Sequence, residues 1–268
     1  MPPIRKGDGT PVTPKGISQV RTGDGRILFD GVAIPDSALL HFPFRERSDS
    51  TLVEEIGGYD GTANGLTNVS GNWWDGYAED GDGVDAYGDL GDWTEVNFGE
   101  RLVGEWGLAF TLETTDDGVE ALGTDRSSEE NATWLFVMRI GSGSVPSNKI
   151  GLSLEDKENN GNRQVIASSS DVNDGGKYRI MVGGDGSSAN NKVMFVNGTD
   201  ETNIEQDEGD HSSNANSNFD QSIYSHALNN ANGDAINNLD GVIDNVIPLD
   251  SKPTDTVAQN DYNSQPWS

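Results

Sequence analysis

GEWGLAFTLETT at Gly104–Thr115 and ATWLFVMRI at Ala132–Ile140 decide the fold. In the first stretch Trp106, Leu108, Phe110 and Leu112 recur at every second position, so they share one face of an extended strand. The second keeps that period with Trp134, Phe136 and Met138, and its other face is apolar too, as a central strand requires. Working outward, ALLHFPF (Ala38–Phe44), KIGLSLED (Lys149–Asp156), RQVIASSS (Arg163–Ser170), KYRIMVGG (Lys177–Gly184), NKVMFVNG (Asn191–Gly198) and GVIDNVIPLD (Gly241–Asp250) are further short apolar pieces bounded by turn residues. Many brief strands with Gly, Asn and Asp turns predict an all-β, antiparallel sandwich or barrel. The chain has no regular repeat, which disfavours a propeller or solenoid. A helical stripe is missing, and only HALNNANGDAINNL (His226–Leu239) has room for one turn of helix. Asp200–Asp220 reads as a mobile surface excursion.

Forty-five acidic residues face seventeen basic ones, for a net charge of -28 over 268 residues. Such a surface repels itself and opposes compaction at ordinary ionic strength. Concentrated salt shortens the screening distance from about 10 Å to about 3 Å. The chain is therefore expected in a very salty medium or at a surface crowded with divalent cations, with nucleic acid and anionic membrane as poor partners. The absence of cysteine excludes disulfides, thiolate metal sites and cysteine nucleophiles. No apolar run reaches membrane-spanning length, and MPPIRKGDG lacks the apolar stretch of a secretion signal. High charge and many small polar residues also suit a disordered chain, but six tryptophans, eight phenylalanines and the β-branched clusters argue for a core.

Residues 1–37 differ from the rest. They carry Arg5, Lys6, Lys15, Arg21 and Arg26 and half of the ten prolines, and Pro2, Pro3, Pro11 and Pro14 oppose a helix. GISQV and RILFDGVAI read as short strands around the turn TGDG, a pair too small to bury a core of its own. This segment is expected to serve attachment, with a boundary at Pro35-Asp36.

LLHFPFRE (Leu39–Glu46) followed by GGYDGTANGLTNVSG (Gly57–Gly71) resembles the opening of a laminin-G-like, concanavalin A-like jelly-roll domain. GYAEDGDGVDAYGDLGDW (Gly76–Trp93), GEWGLAFTLET (Gly104–Thr114), VMFVNGT (Val193–Thr199) and DGVIDNVIPLDSKPTDTVAQNDY (Asp240–Tyr262) are similar to later elements of that family, in order. The resemblance implies a jelly-roll β-sandwich over residues 38–262, with 263–268 as a tail. The chain departs from the pattern at Lys177-Tyr178, where a tryptophan is usual, and in a closing segment without a clear helical motif.

Asp60, Asp80, Asp82, Asp85, Asp89 and Asp92 are dense enough to suggest calcium, which takes six to eight oxygens. Asp80–Asp85 lacks EF-hand spacing and the closing Glu. By the resemblance, a calcium ion would be held by Asp60 and Asp244 with Asn245 behind them. The competing reading is that these aspartates cap turns. Trp73 and Trp74, with Tyr77 and Tyr87 nearby, are the candidate ligand-binding aromatics. Adjacent aromatics cannot share one strand face, so one indole is exposed for sugar stacking or both are buried under core and loop. His41, His211 and His226 are scattered without zinc spacing. Glu105, Glu113 and Glu155 form no compact glucanase motif, and GSGSVPSNK lacks P-loop spacing.

The expectation is therefore a noncatalytic, lectin-like module that recognises host-surface glycan or glycoprotein. KGDGTPVTPKG and RTGDGRILFDG resemble leaders of appendage proteins in tailed viruses of salt-loving archaea. That likeness implies a homo-oligomer among other virion structural proteins, on a capsid or tail surface. The alternatives are a structural role, as capsid turret, decoration protein or baseplate component, and, less favoured, a glycoside hydrolase.

Overall fold

The structure, a computed structural model, describes residues 20–21, 27–29, 34–35, 37–56, 58–96, 98–102, 104–124, 134–156, 162–185, 188–208, 220–223 and 239–267. It is an antiparallel β-sandwich of jelly-roll type. The strands in chain order are β1 (Val20–Arg21), β2 (Ile27–Phe29), β3 (Thr51–Leu52), β4 (Gly61–Asn64), β5 (Thr67–Ser70), β6 (Tyr77–Asp82), β7 (Tyr87–Asp92), β8 (Trp106–Thr114) and β9 (Val119–Thr124). They continue as β10 (Trp134–Ile140), β11 (Ile150–Asp156), β12 (Asn162–Ala167), β13 (Lys177–Gly184), β14 (Val193–Val196), β15 (Thr199–Asp200), β16 (Asn203–Asp207), β17 (Asp220–Ile223) and β18 (Asp240–Leu249). One sheet of nine strands runs β16-β12-β11-β10-β9-β17-β7-β4-β3, and one of seven runs β15-β14-β13-β8-β18-β6-β5. The expected amino-terminal strand pair is present as β1 against β2, with Val20 opposite Phe29.

The period-2 pattern places the core between the two sheets. Trp106, Leu108, Phe110 and Leu112 of β8 are fully buried there, facing Phe136, Met138 and Ile140 of β10 and Ile150, Leu152 and Leu154 of β11. Aromatic rings close one end of this layer, where Trp106 and Phe136 meet edge to face at 5.6 Å and Phe98 packs on both.

The seven-stranded sheet is covered on its outer face as well, so β8 is buried on both sides. Ala109, Met181, Phe195, Ile247 and Leu249 form a second cluster with Ile34, Ala38 and Ala258. Packing thus runs across Pro35-Asp36, and an isolated bridge joins Ala38 to Leu249. Ala258 belongs to a helix, α1 (Asp255–Asn263), that the sequence reading missed. Its signals are local: Pro253 precedes it, Thr254 caps it by accepting from the Val257 amide, and Asp255 lies in its first turn.

Two further expectations change. Within Asp200–Asp220, Asn203–Asp207 is edge strand β16, with Ile204 opposite Ile166 of β12, and residues 209–219 lie outside the described residues. The end of the chain is docked: Gln265 is buried and Trp267 packs against Trp73. The helical turn expected within His226–Leu239 falls almost wholly outside the described residues, as do His211 and His226. No helix among the described residues is long and apolar enough to cross a membrane.

Candidate functional site

The β5–β6 hairpin ends in a turn that folds over the outer face of the seven-stranded sheet. Gly71 donates to the Gly76 carbonyl, and a Cβ on Gly71 would lie 2.9 Å from the Trp73 indole nitrogen, so glycine makes room for that ring. Trp73 is buried against Trp267 at a ring separation of 6.2 Å, and Lys177 Nζ sits 3.5 Å above the Trp73 ring centre. Lys177 also donates to the Asn72 carbonyl, and burial pulls its pKa down. Trp74 is half-buried, and His41 meets it edge to face at 5.6 Å.

Beneath this turn the chain is unusually polar for a sandwich face. The Trp74 amide donates to Asp244 Oδ2 at 2.8 Å, and Asp244 is fully buried. Burial pushes its carboxyl up to about 8 against the lowering pull of the Trp74 amide and of Arg179. Asn245, with φ 54°, forms the bulge that breaks the register of β18 against β8. Its side-chain oxygen lies 2.9 Å from His41 Nε2. Arg179, 1% exposed, is clamped by Asp261 of α1, with Nε to Oδ2 at 2.6 Å, and donates to the Asn245 carbonyl at 2.8 Å.

The structure thus gathers Trp73, Trp74, Asp244 and Asn245 into one packed cluster, closed by Trp267. Of the two readings for the tryptophans, it places Trp73 in the interior. Tyr77 opens β6, half-buried, its hydroxyl pKa raised by desolvation and by the charge and hydrogen bond of Glu46. Tyr87 opens β7 opposite Asn64, also half-buried. Asp60 is exposed just before β4, and its Oδ1 accepts from the Glu54 amide. Among the described residues no group of three or more His, Asp or Glu side chains is arranged to hold a metal ion. Asp82 behaves as a turn-capping aspartate: its Oδ1 accepts the amides of Val84, Asp85 and Ala86. Those amides hold its pKa down. Of the carboxylates considered for hydrolysis, Glu113 lies in the seven-stranded sheet opposite Lys177, whereas Glu155 pairs with Arg163 in the other sheet.

An open cleft of about 490 Å³ lies beside this cluster, lined by Gly198, Thr199, Asp200, Asp255, Thr256, Gln259 and Asn260. One wall is the tight turn between β14 and β15. Asn197 (φ 51°) and Gly198 (φ 75°) both take the left-handed conformation that a two-residue hairpin turn demands. A Cβ on Gly198 would lie 3.0 Å from the Gln259 Cα, so the turn sits directly on α1. The other wall is the exposed face of α1, which Arg179 and Asp261 fix from below. The sequence signals are NGTD and TDTVAQND, the second within the closing segment that shows no clear helical motif.

No protein-family model and no curated protein matches the sequence. Solved structures do match. Domain 4 of AbnA, a GH43 extracellular arabinanase from Geobacillus stearothermophilus, in complex with arabinotriose, aligns with a TM-score of 0.56 at 11% identity, over 84% of this chain and 99% of that one. Trypanosoma rangeli sialidase in complex with sialic acid aligns with a TM-score of 0.52 at 10% identity, over 93% of this chain and 36% of the sialidase. The receptor binding domain of botulinum neurotoxin C/D mosaic serotype aligns with a TM-score of 0.56 at 10% identity, over 86% of this chain and 52% of that one. The chain therefore spans about a third of the sialidase and about half of the toxin domain. These likenesses show the fold. They also correct the expectation of a noncatalytic chain: an arabinanase domain and sialidases stand among the structures that share this sandwich, so that assignment is withdrawn.

Proposed function

We propose that this chain is a carbohydrate-recognition module whose ligand lies in the cleft between the Asn197–Gly198 turn and α1. The observation that carries the reading is the lining of that cleft: hydroxyls of Thr199 and Thr256, carboxylates of Asp200 and Asp255, and amides of Gln259 and Asn260. Sugar hydroxyls donate and accept together, and carboxylates and amides supply the matching acceptors and donors. The rigid strand turn and the pinned helix lower the ordering cost of binding. Arabinotriose and sialic acid, bound by structures of the same fold, support the ligand class.

The finer part of the proposal is display in several copies on a virion surface in a saline medium, where recognition of host glycan serves attachment. The saline setting rests on the charge of -28. The virion setting rests on the resemblance of the amino-terminal segment to viral leaders. An open cleft gives modest affinity per site, which multivalent display raises. A glycan array probed in concentrated KCl tests the reading. Wild-type protein is expected to retain a defined set of oligosaccharides, and Asn260→Ala or Gln259→Ala to weaken them about tenfold with unchanged melting. Failure to bind any glycan as a multivalent preparation overturns it.

A further inference from the structure

The exposed aromatic sought at Trp73 and Trp74 is found elsewhere. The exposed large apolar residues among those described are Val53, Ile56, Tyr59, Val84 and Ile204. Three of the five fall in the short loop between β3 and β4, where Val53 is 48%, Ile56 38% and Tyr59 41% exposed. From the geometry of this loop we infer a second ligand site, a platform for the ring of a neutral sugar, with Tyr59 as its stacking surface and Val53 and Ile56 flanking it. The inference extends the carbohydrate reading and rests on it for the ligand class, but it uses none of the cleft residues.

The loop is built to hold these side chains outward. Glu54 is buried, and its carboxylate accepts the amides of His41 and Ile56 at 2.8 Å and of Gly58 at 2.5 Å. Asp60 Oδ1 accepts the Glu54 amide at 2.9 Å, and the Glu55 amide donates to the His41 carbonyl at 3.0 Å. Glu55 turns back onto Arg45 and His41. A loop whose backbone is bound to a buried carboxylate loses little entropy when a ligand arrives.

Size and charge select the occupant. Three partly exposed side chains offer far less than the roughly 800 Å² per partner of a stable protein interface. They match the apolar face of one or two sugar rings, which stack on aromatic side chains. Exposed Asp60 beside Tyr59 offers a carboxylate to sugar hydroxyls, and at contact distance it disfavours anionic sugars even in concentrated salt.

Amide NMR titration of the whole chain in concentrated KCl tests this, with arabinotriose, maltotriose and cellotriose as neutral probes and sialyllactose as the anionic one. The expected result is that a neutral trisaccharide shifts the amides of Ile56, Gly58 and Tyr59 while sialyllactose does not. Tyr59→Ala should weaken that binding about tenfold and Tyr59→Phe should preserve it. If the amides of Gly198 and Gln259 respond and those of the loop stay still, the platform is overturned and the cleft stands. Silence at both sites overturns the platform and leaves the cleft to be decided by the multivalent glycan array, and a loop response that survives Tyr59→Ala overturns the stacking role.

Discussion

Arg179 and Asp261 stand 82 residues apart in sequence and form an ion pair in which both side chains are 1% exposed. The pair fixes α1 to the outer face of the seven-stranded sheet and so holds one wall of the cleft. Asp261→Ala leaves the guanidinium buried without its carboxylate, and a loss of about 3–5 kcal/mol is expected in denaturant unfolding. Replacing both partners, Arg179→Met with Asp261→Leu, should recover most of that stability.

Trp267 closes the cluster over Trp73, and Lys177 Nζ lies 3.5 Å from the Trp73 ring centre and 5.6 Å from that of Trp267. Trp267→Ala removes an edge-to-face contact and a cation–π contact together. A loss of about 1–3 kcal/mol is expected, with a red shift of tryptophan fluorescence as Trp73 meets water.

Asp244 gives the fold a pH dependence. Its carboxyl keeps its proton in the native state up to about 8 because burial penalises the charge, against a reference value of 3.8. Between those values the native state binds the extra proton. The stability from this group is therefore complete below about pH 4 and is lost by about pH 8, at roughly 1.4 kcal/mol per pH unit. Asp244→Asn should flatten this slope in unfolding measured from pH 4 to 8, with the largest gain over wild type near pH 8. An unchanged slope would refute the assignment.

The charge of -28 predicts that salt supports folding. The melting temperature should rise steadily from about 0.1 M to about 3 M KCl. A flat or falling midpoint would remove the argument for a saline medium.

The sandwich was legible because its core strands obey a period of two: Trp106, Leu108, Phe110 and Leu112 face inward as their spacing requires. The Asn197-Gly198 turn was equally plain, since few other residue pairs accept two positive φ angles. α1 was not, because only Ala258 and Asp261 of its nine residues are buried, which leaves no apolar stripe to read. The tryptophans stand out in the sequence, but the burial of Trp73 involves Trp267, almost two hundred residues away. Tyr59 was passed over because a lone tyrosine in a glycine-rich stretch carries no pattern. Its exposure follows from the buried Glu54 carboxylate, a three-dimensional fact.

The account turns on the cleft between the Asn197–Gly198 turn and α1, and a crystal structure of the protein with an oligosaccharide retained on the array tests it most directly. The account predicts sugar hydroxyls within hydrogen-bond reach of Asp200, Asp255 or Gln259. Sugar bound elsewhere, with those side chains facing only solvent, would contradict it.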